Sequence, residues 1–185
     1  MVVFKFRVVI DHEKDIFRDI EIQGSQTFED LHGAIISAFN FRGDQMASFY
    51  MSNESWEKGL EIGLMDMSFG EESGPPTMKS AQLNQFVKEK DQKILYVYDF
   101  LKMWIFYLEL IEEKEEEGNQ AYPCLAHSFG ECPLEEEKEI EDIINETDQA
   151  SHQKSVESEI EDIMNEFDDE VASEEGFDNI DDLDI

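Results

Sequence analysis

The sequence predicts an α+β fold that opens with a β-hairpin and a helix, continues into a mixed, β-grasp-like sheet, and ends in an acidic tail. Three observations predict it. Two opening segments alternate apolar and polar residues with a period of two. A third segment repeats apolar residues at helical spacing. The charge is also divided unevenly along the 185 residues. Residues 1–111 hold 18 acids and 11 bases, whereas 112–185 hold 28 acids and 3 bases, so most of the net charge of −32 lies in the second part. Too little apolar surface and too much like charge keep such a segment from closing a core of its own.

Each element follows from local pattern. Val2 to Ile10 and Ile16 to Ile22 alternate, and the polar run Asp11-His12-Glu13-Lys14-Asp15 between them is turn-like, which makes a hairpin. Thr27 precedes Phe28-Glu29-Asp30, an N-cap with an acid three positions on. Phe28, Leu31, Ile35 and Phe39 then recur on one helical face, so a helix is expected over 28–40. Ser48 to Met51 reads as a short strand and Leu60 to Met67 as a weaker one. The Gly- and Pro-containing stretch Phe69 to Thr77 reads as a loop, and Ser80 to Val87 as a short helix with Leu83, Phe86 and Val87 inward. Lys93 to Phe100 and Met103 to Ile111 are apolar on both faces, which belongs in the middle of a sheet. Asp99 to Lys102 is the turn between them.

The expected organisation is a globular head over 1–117, a closing segment over 118–134 packed on it, and an acidic tail over 135–185. The tail is expected to be largely disordered or transiently helical. It contains an internal repeat: Glu139-Ile140-Glu141-Asp142-Ile143-Ile144-Asn145-Glu146 recurs twenty residues later as Glu159-Ile160-Glu161-Asp162-Ile163-Met164-Asn165-Glu166. In the second copy Val156, Ile160, Ile163, Met164, Phe167 and Val171 fall on one helical face. A purely solvating tail has no need of apolar groups at helical spacing, and short, highly charged helices order only against a surface. That surface is a protein partner's apolar groove with a basic rim or, as the alternative, this protein's own head, and the partner is the expectation. Ile140, Ile143, Ile144, Ile160, Ile163, Met164 and Phe167 are the candidate partner-binding anchors.

The acidic balance argues against direct nucleic-acid binding, which needs a basic surface, and against an anionic membrane surface. Lys5 and Arg7 interrupt the apolar N-terminus, so it does not read as a secretory signal. The apolar stretch from Ile94 to Ile111 is broken by Asp99, Lys102 and Glu109 and reads as strands rather than a spanning helix. Cys124 and Cys132 are too few for a disulfide framework. A cytoplasmic protein is expected.

Four groups of residues carry candidate chemistry. Cys124, His127 and Cys132 lack the fourth ligand of a structural zinc site and read as a turn with two ordinary thiols. No metal or cofactor is expected. His32 is expected at the edge of the helix's buried face, one ring nitrogen bonded and the other wet. Asp99 reads as a turn residue bonding backbone amides, with a contact to Lys102 as a structural alternative and a buried general acid as the catalytic one. The aromatic run Tyr96, Tyr98, Phe100, Trp104, Phe106 and Tyr107 reads as core.

Several of these segments resemble the plasmid pRiA4b ORF-3-like family over roughly residues 1–134. The likeness lies in the opening hairpin with Leu31-His32-x-x-Ile35, in Asp44-Gln45-Met46-x-Ser48-Phe49, and in Tyr96-Val97-Tyr98-Asp99-Phe100 with Trp104 four residues on. It continues in Tyr122-Pro123-Cys124 followed by Gly130-Glu131-Cys132-Pro133. Leu101 and Lys102 stand where the family has Gly and Asp, and Leu134 and Glu135 depart from its usual Pro-Glu-Asp. The resemblance implies a compact α+β domain and a bacterial, mobile-element-associated source. It carries no catalytic residue onto this chain. The functional expectation is a non-enzymatic interaction or regulatory protein. The alternative is an acidic modulator or nucleic-acid mimic acting on a DNA- or RNA-binding protein, and an enzyme in the head comes third.

Overall fold

The structure, a computed structural model, describes residues 1–66, 74–116, 118 and 120–138. The chain divides into two units, Met1–Ile140 and Glu141–Ile185. The second lies outside the described residues, as do most of the loop expected over Phe69 to Thr77 and the whole internal repeat.

The elements run β1 (Val2–Ile10), β2 (Phe17–Gln23), α1 (Phe28–Phe39), β3 (Ala47–Ser52), β4 (Lys58–Gly63), α2 (Leu83–Phe86), β5 (Lys93–Tyr98), β6 (Trp104–Glu115) and β7 (Cys124–Phe129). The strands form a seven-stranded sheet in the order β4-β3-β5-β6-β1-β2-β7. Among the described residues every pairing between strands is antiparallel, where the sequence predicts a mixed sheet. The two-sided apolar strands β5 and β6 take central positions, as their composition requires.

Helix α1 starts where the sequence places it. Thr27 and Asp30 exchange hydrogen bonds, with Thr27 N donating to Asp30 Oδ2 at 2.8 Å and Asp30 N to Thr27 Oγ1 at 3.2 Å. Two donors that the first turn leaves without helical partners are thereby satisfied. The helix ends at Asn40, which adopts the left-handed conformation at φ 58°, as helix C-termini commonly do. Phe28, Leu31, His32, Ile35 and Phe39 are its buried face.

That face closes the core against one side of the sheet. Phe4, Phe6, Val8 and Ile10 of β1, Ile20 and Ile22 of β2, and Trp104, Phe106, Leu108 and Leu110 of β6 share one cluster with it. Rings meet edge to face between Phe39 and Phe106 at 5.0 Å and between Phe28 and Phe49 at 5.1 Å. Each fully buried ring or aliphatic side chain contributes about 1.5–3 kcal/mol. Tyr96, Tyr98, Trp104 and Phe106 belong to this core. Phe100, in the turn, is 43% exposed, and Tyr107 lies on the opposite face against Trp56, ring centroids 4.9 Å apart.

Several boundaries differ from the sequence reading, and β6 runs on to Glu115 rather than ending at Ile111. The weak strand after β3 lies at Lys58–Gly63 rather than 60–67, because its register follows β3: Tyr50 opposes Glu61 and Ser52 opposes Lys58. It is largely exposed and carries little apolar signal. The short helix is a single turn with Leu83 buried. Cys124 to His127, read as a turn within the closing segment, is strand β7, which continues the sheet beyond β2. Among the described residues no helix is long and apolar enough to cross a membrane.

Candidate functional site

The predicted anchors Ile140, Ile143, Ile144, Ile160, Ile163, Met164 and Phe167 all lie outside the described residues. What the structure describes is the segment that leads to them in sequence, residues 130–138. It crosses one end of the sheet, over the β1–β2 turn, the end of α1 and the β5–β6 turn.

Glu135 is the centre of that crossing. It is 6% exposed, and a buried carboxylate persists only when its oxygens are paired. Oε2 accepts from the Arg42 amide at 2.7 Å, and Oε1 accepts from the Tyr98 hydroxyl at 3.1 Å. Arg42 Nε stands 3.6 Å from Oε2, and its other guanidinium arm reaches Glu136 at 3.5 Å. Lys102 Nζ donates to the Glu135 carbonyl at 3.2 Å. Lys138 Nζ donates to the Met103 carbonyl at 2.9 Å and lies 5.3 Å from the Trp104 ring centroid. His12 faces Glu137 at 3.9 Å. Burial and the bond to Glu135 push the Tyr98 hydroxyl up to about 12.

Asp99 sits under this crossing as the turn residue its composition suggests. Its Oδ1 accepts from the amides of Leu101 and Lys102 at 3.0 and 3.1 Å, and its φ is 57°. Asn and Asp tolerate that left-handed conformation better than most residues. The expected Asp99–Lys102 contact is thus made through the Lys102 amide, while the Lys102 ammonium turns to the Glu135 carbonyl, a partner the sequence does not reveal.

The start of the crossing is held by Arg18, 6% exposed on β2. Nε donates to the Ala38 carbonyl at 3.1 Å, one arm to the carbonyls of Phe17 and Phe129 at 2.8 Å each, and the other to the Gly130 carbonyl at 3.2 Å and Cys132 Sγ at 2.6 Å. One guanidinium thus ties β2, the end of α1, β7 and the crossing segment together. Its fixed fork of donors suits that task in a way a lysine does not. Gly130 adopts φ 77°, and a Cβ there would lie 2.6 Å from the Asp15 carbonyl, so the entry to the segment requires glycine.

His32 lies on the buried face of α1 and is 9% exposed. Its Nδ1 lies 2.7 Å from the Tyr96 hydroxyl. Burial lowers the imidazole below its ordinary value against an opposing pull from Glu29, and burial raises Tyr96 well above its own. Both are therefore neutral near pH 7. The partner of His32 is a residue 64 positions away, which no local pattern signals.

The face of the sheet away from α1 carries rows of paired charge. Lys93, Glu109, Arg7, Asp19 and His127 stand opposite one another in register across β5, β6, β1, β2 and β7. Arg7 forms two parallel bonds of 2.9 Å to Asp19, which hold its guanidinium above the ordinary value. In the next row Lys5 lies between Glu21 at 3.8 Å and Glu112 at 3.7 Å, and Lys114 Nζ reaches Glu21 at 2.9 Å. Alternating charges stabilise neighbouring strands modestly, by about 0.2–1 kcal/mol per pair.

The candidate catalytic groups are not brought together. His32 bonds Tyr96, Asp99 bonds its own turn, Cys124 Sγ accepts from Gln120 Nε2 at 2.8 Å, and Cys132 meets Arg18. No group of three or more His, Cys, Asp or Glu with metal-site geometry occurs among the described residues.

An antiparallel sheet with one helix across it, closed by a clamped crossing segment that precedes an acidic repeat in sequence, defines the class of this protein. Over residues 2–176 the chain matches the family described as plasmid pRiA4b ORF-3-like protein, and it belongs to that family. Among solved structures it is similar to a protein of unknown function, MM3350 from Methanosarcina mazei Go1. The two are 22% identical with a TM-score of 0.62, over 85% of this chain and 86% of that one. At that identity the likeness concerns the fold. No curated protein matches.

Proposed function

We propose that the protein is a non-enzymatic interaction module whose acidic C-terminal repeat docks on a protein partner. The observation that carries this reading is the repeat itself. Two copies of an acid-flanked apolar pattern, twenty residues apart, present Ile140, Ile143 and Ile144, and then Ile160, Ile163, Met164 and Phe167. The apolar groups fit a groove, and the neighbouring acids fit a basic rim that steers association and sets its salt dependence. The head's share in this reading is anchorage, since the chain is clamped through Glu135 and Lys138 immediately before Glu139 in sequence.

A second reading is favoured by the charge of 112–185, 28 acids against 3 bases. On it, the tail imitates nucleic acid on a DNA- or RNA-binding protein of a mobile-element system. The reducing cytoplasm is the proposed setting, in keeping with two free thiols. The grasp-like description applies to the hairpin-and-helix opening.

The two readings separate by competition. If the repeat docks through its apolar anchors, Ile163→Ser with Phe167→Ser abolishes capture, and added DNA or RNA leaves it intact. If the tail is a mimic, the substitutions matter little and free nucleic acid displaces the partner.

A further inference from the structure

The two edges of the sheet are built differently. Edge strand β4 carries Lys58 and Glu61, and its end is covered: Gly63 N donates to the Pro76 carbonyl at 3.3 Å and Met78 N to the Gly63 carbonyl at 2.8 Å. Charged and covered edges are how proteins prevent unwanted strand pairing. Among the described residues, edge strand β7 has neither protection. Its sequence, Cys-Leu-Ala-His-Ser-Phe, contains no Lys, Glu, Asp or Pro. Among the described residues its outer side pairs with no strand.

A groove of about 500 Å³ lies beside it, between β7 and the outward face of α1. Gly33, Ala34, Ser37 and Ala38 of the helix and Leu125 of β7 line it, with Glu29 and Asp30 from the first turn of α1. The groove exists because those helix residues are small. Gly33 is the telling one, since glycine is the poorest helix former short of proline. A Cβ at Gly33 would meet nothing within 4 Å, so no packing demand inside the head accounts for it. On the other face of β7, Phe17 stacks on Phe129 at 5.4 Å and lies 5.8 Å from His127. Phe129 is 53% exposed and Leu125 51%.

We propose that β7 is a strand-addition site for an extended segment of a partner protein, with apolar side chains entering the groove and a Lys or Arg meeting Glu29 and Asp30. Only an extended segment satisfies the open backbone edge, and successive side chains of an added strand point to opposite faces. One set enters the groove and the other lies on the Phe17–His127–Phe129 shelf. The acids of the groove select a basic segment. They disfavour the chain's own C-terminal part, which has 28 acids over 112–185, and a second copy of β7, which brings no lysine or arginine. The site does not depend on the repeat, and substitutions in the two are separable.

The test is amide hydrogen exchange on the full chain with two synthetic probes, an alternating valine–lysine peptide and its valine–glutamate counterpart. The lysine peptide is expected to slow exchange at the amides of 124–129 that face away from β2, and the glutamate peptide to leave them unchanged. Gly33→Leu, which fills the groove and favours the helix, is expected to weaken this protection at least about tenfold in peptide concentration. Ser37→Lys, on the exposed side of the same helix, is expected to do the same. The proposal is overturned if neither peptide protects β7, if both protect it equally, or if Gly33→Leu and Ser37→Lys leave the protection intact. It is overturned equally if the β7 amides that do not bond β2 are already protected without peptide, whether released by dilution, which makes the occupant a second copy, or by Ile180→Ser with Leu183→Ser, which makes it the chain's own end.

Discussion

The Tyr98 hydroxyl donates to Glu135 Oε1 at 3.1 Å and accepts from the Gly43 amide at 3.0 Å. One phenol in the central strand β5 therefore joins the loop after α1 to the segment that precedes the acidic repeat. The crossing segment is part of the folded head through this contact rather than the beginning of a solvated tail.

Removing either partner leaves a buried polar group unpaired, which costs about 1–3 kcal/mol. Glu135→Ala and Tyr98→Phe are each expected to destabilise the protein by that amount in urea unfolding. The double variant is expected to lose less than the sum, with a coupling of about 0.5–3 kcal/mol. Strict additivity would mean that the bond does not operate.

Alkaline pH strikes the same contact. Tyr98 is raised from 10.0 to about 12 by burial and by Glu135. The unfolded chain loses this proton near its ordinary value while the folded chain keeps it, so the stabilisation is complete below 10 and is lost as the pH rises through 12. Absorbance titration is expected to show one fewer late-ionising tyrosine in Tyr98→Phe than in the wild type, with that of Tyr96 remaining in both.

His32 acts at the opposite end of the scale. Burial lowers it from 6.5 in the folded state, so the unfolded chain takes up the proton first. Stability from the neutral imidazole is present above 6.5 and is lost as the pH falls toward the folded value. His32→Gln is expected to flatten the fall of the urea midpoint just below pH 6.5, where few carboxylates titrate. An unchanged slope would place the histidine's proton uptake elsewhere.

Much of this architecture is legible in the chain. Period-two and helical spacing locate β1, β2, α1, β5 and β6, because each buries one or both faces and its apolar residues report that directly. Thr27 and Asp99 are legible because their chemistry is local. Glu135 is not. It stands in Glu135-Glu136-Glu137, where nothing distinguishes the buried acid from its exposed neighbours, and its partners Arg42 and Tyr98 are remote in sequence. Strand β7 is hidden for a different reason: it is an exposed edge strand with one weak alternation, so the sheet rather than its own residues makes it a strand. Asp19 and Glu21 look like the polar face of β2, yet they are 3% and 5% exposed because Arg7, Lys5 and Lys114 cover them.

The groove variants carry a stability prediction of their own. Gly33→Ala in α1 meets no neighbour and reduces the entropy the unfolded chain must lose. It is expected to raise stability by about 0.5–1 kcal/mol, read as a higher midpoint in thermal unfolding. A fall would mean that Gly33 serves the helix itself.

The central claim is that the repeated apolar anchors bind a protein. Its most direct test is capture from nuclease-treated host lysate, comparing the full chain with its Ile163→Ser, Phe167→Ser variant over a series of salt concentrations. The account predicts a partner retained by the wild type, weakened by salt, and lost from the variant. The same proteins retained by both chains, or none by either, would contradict it.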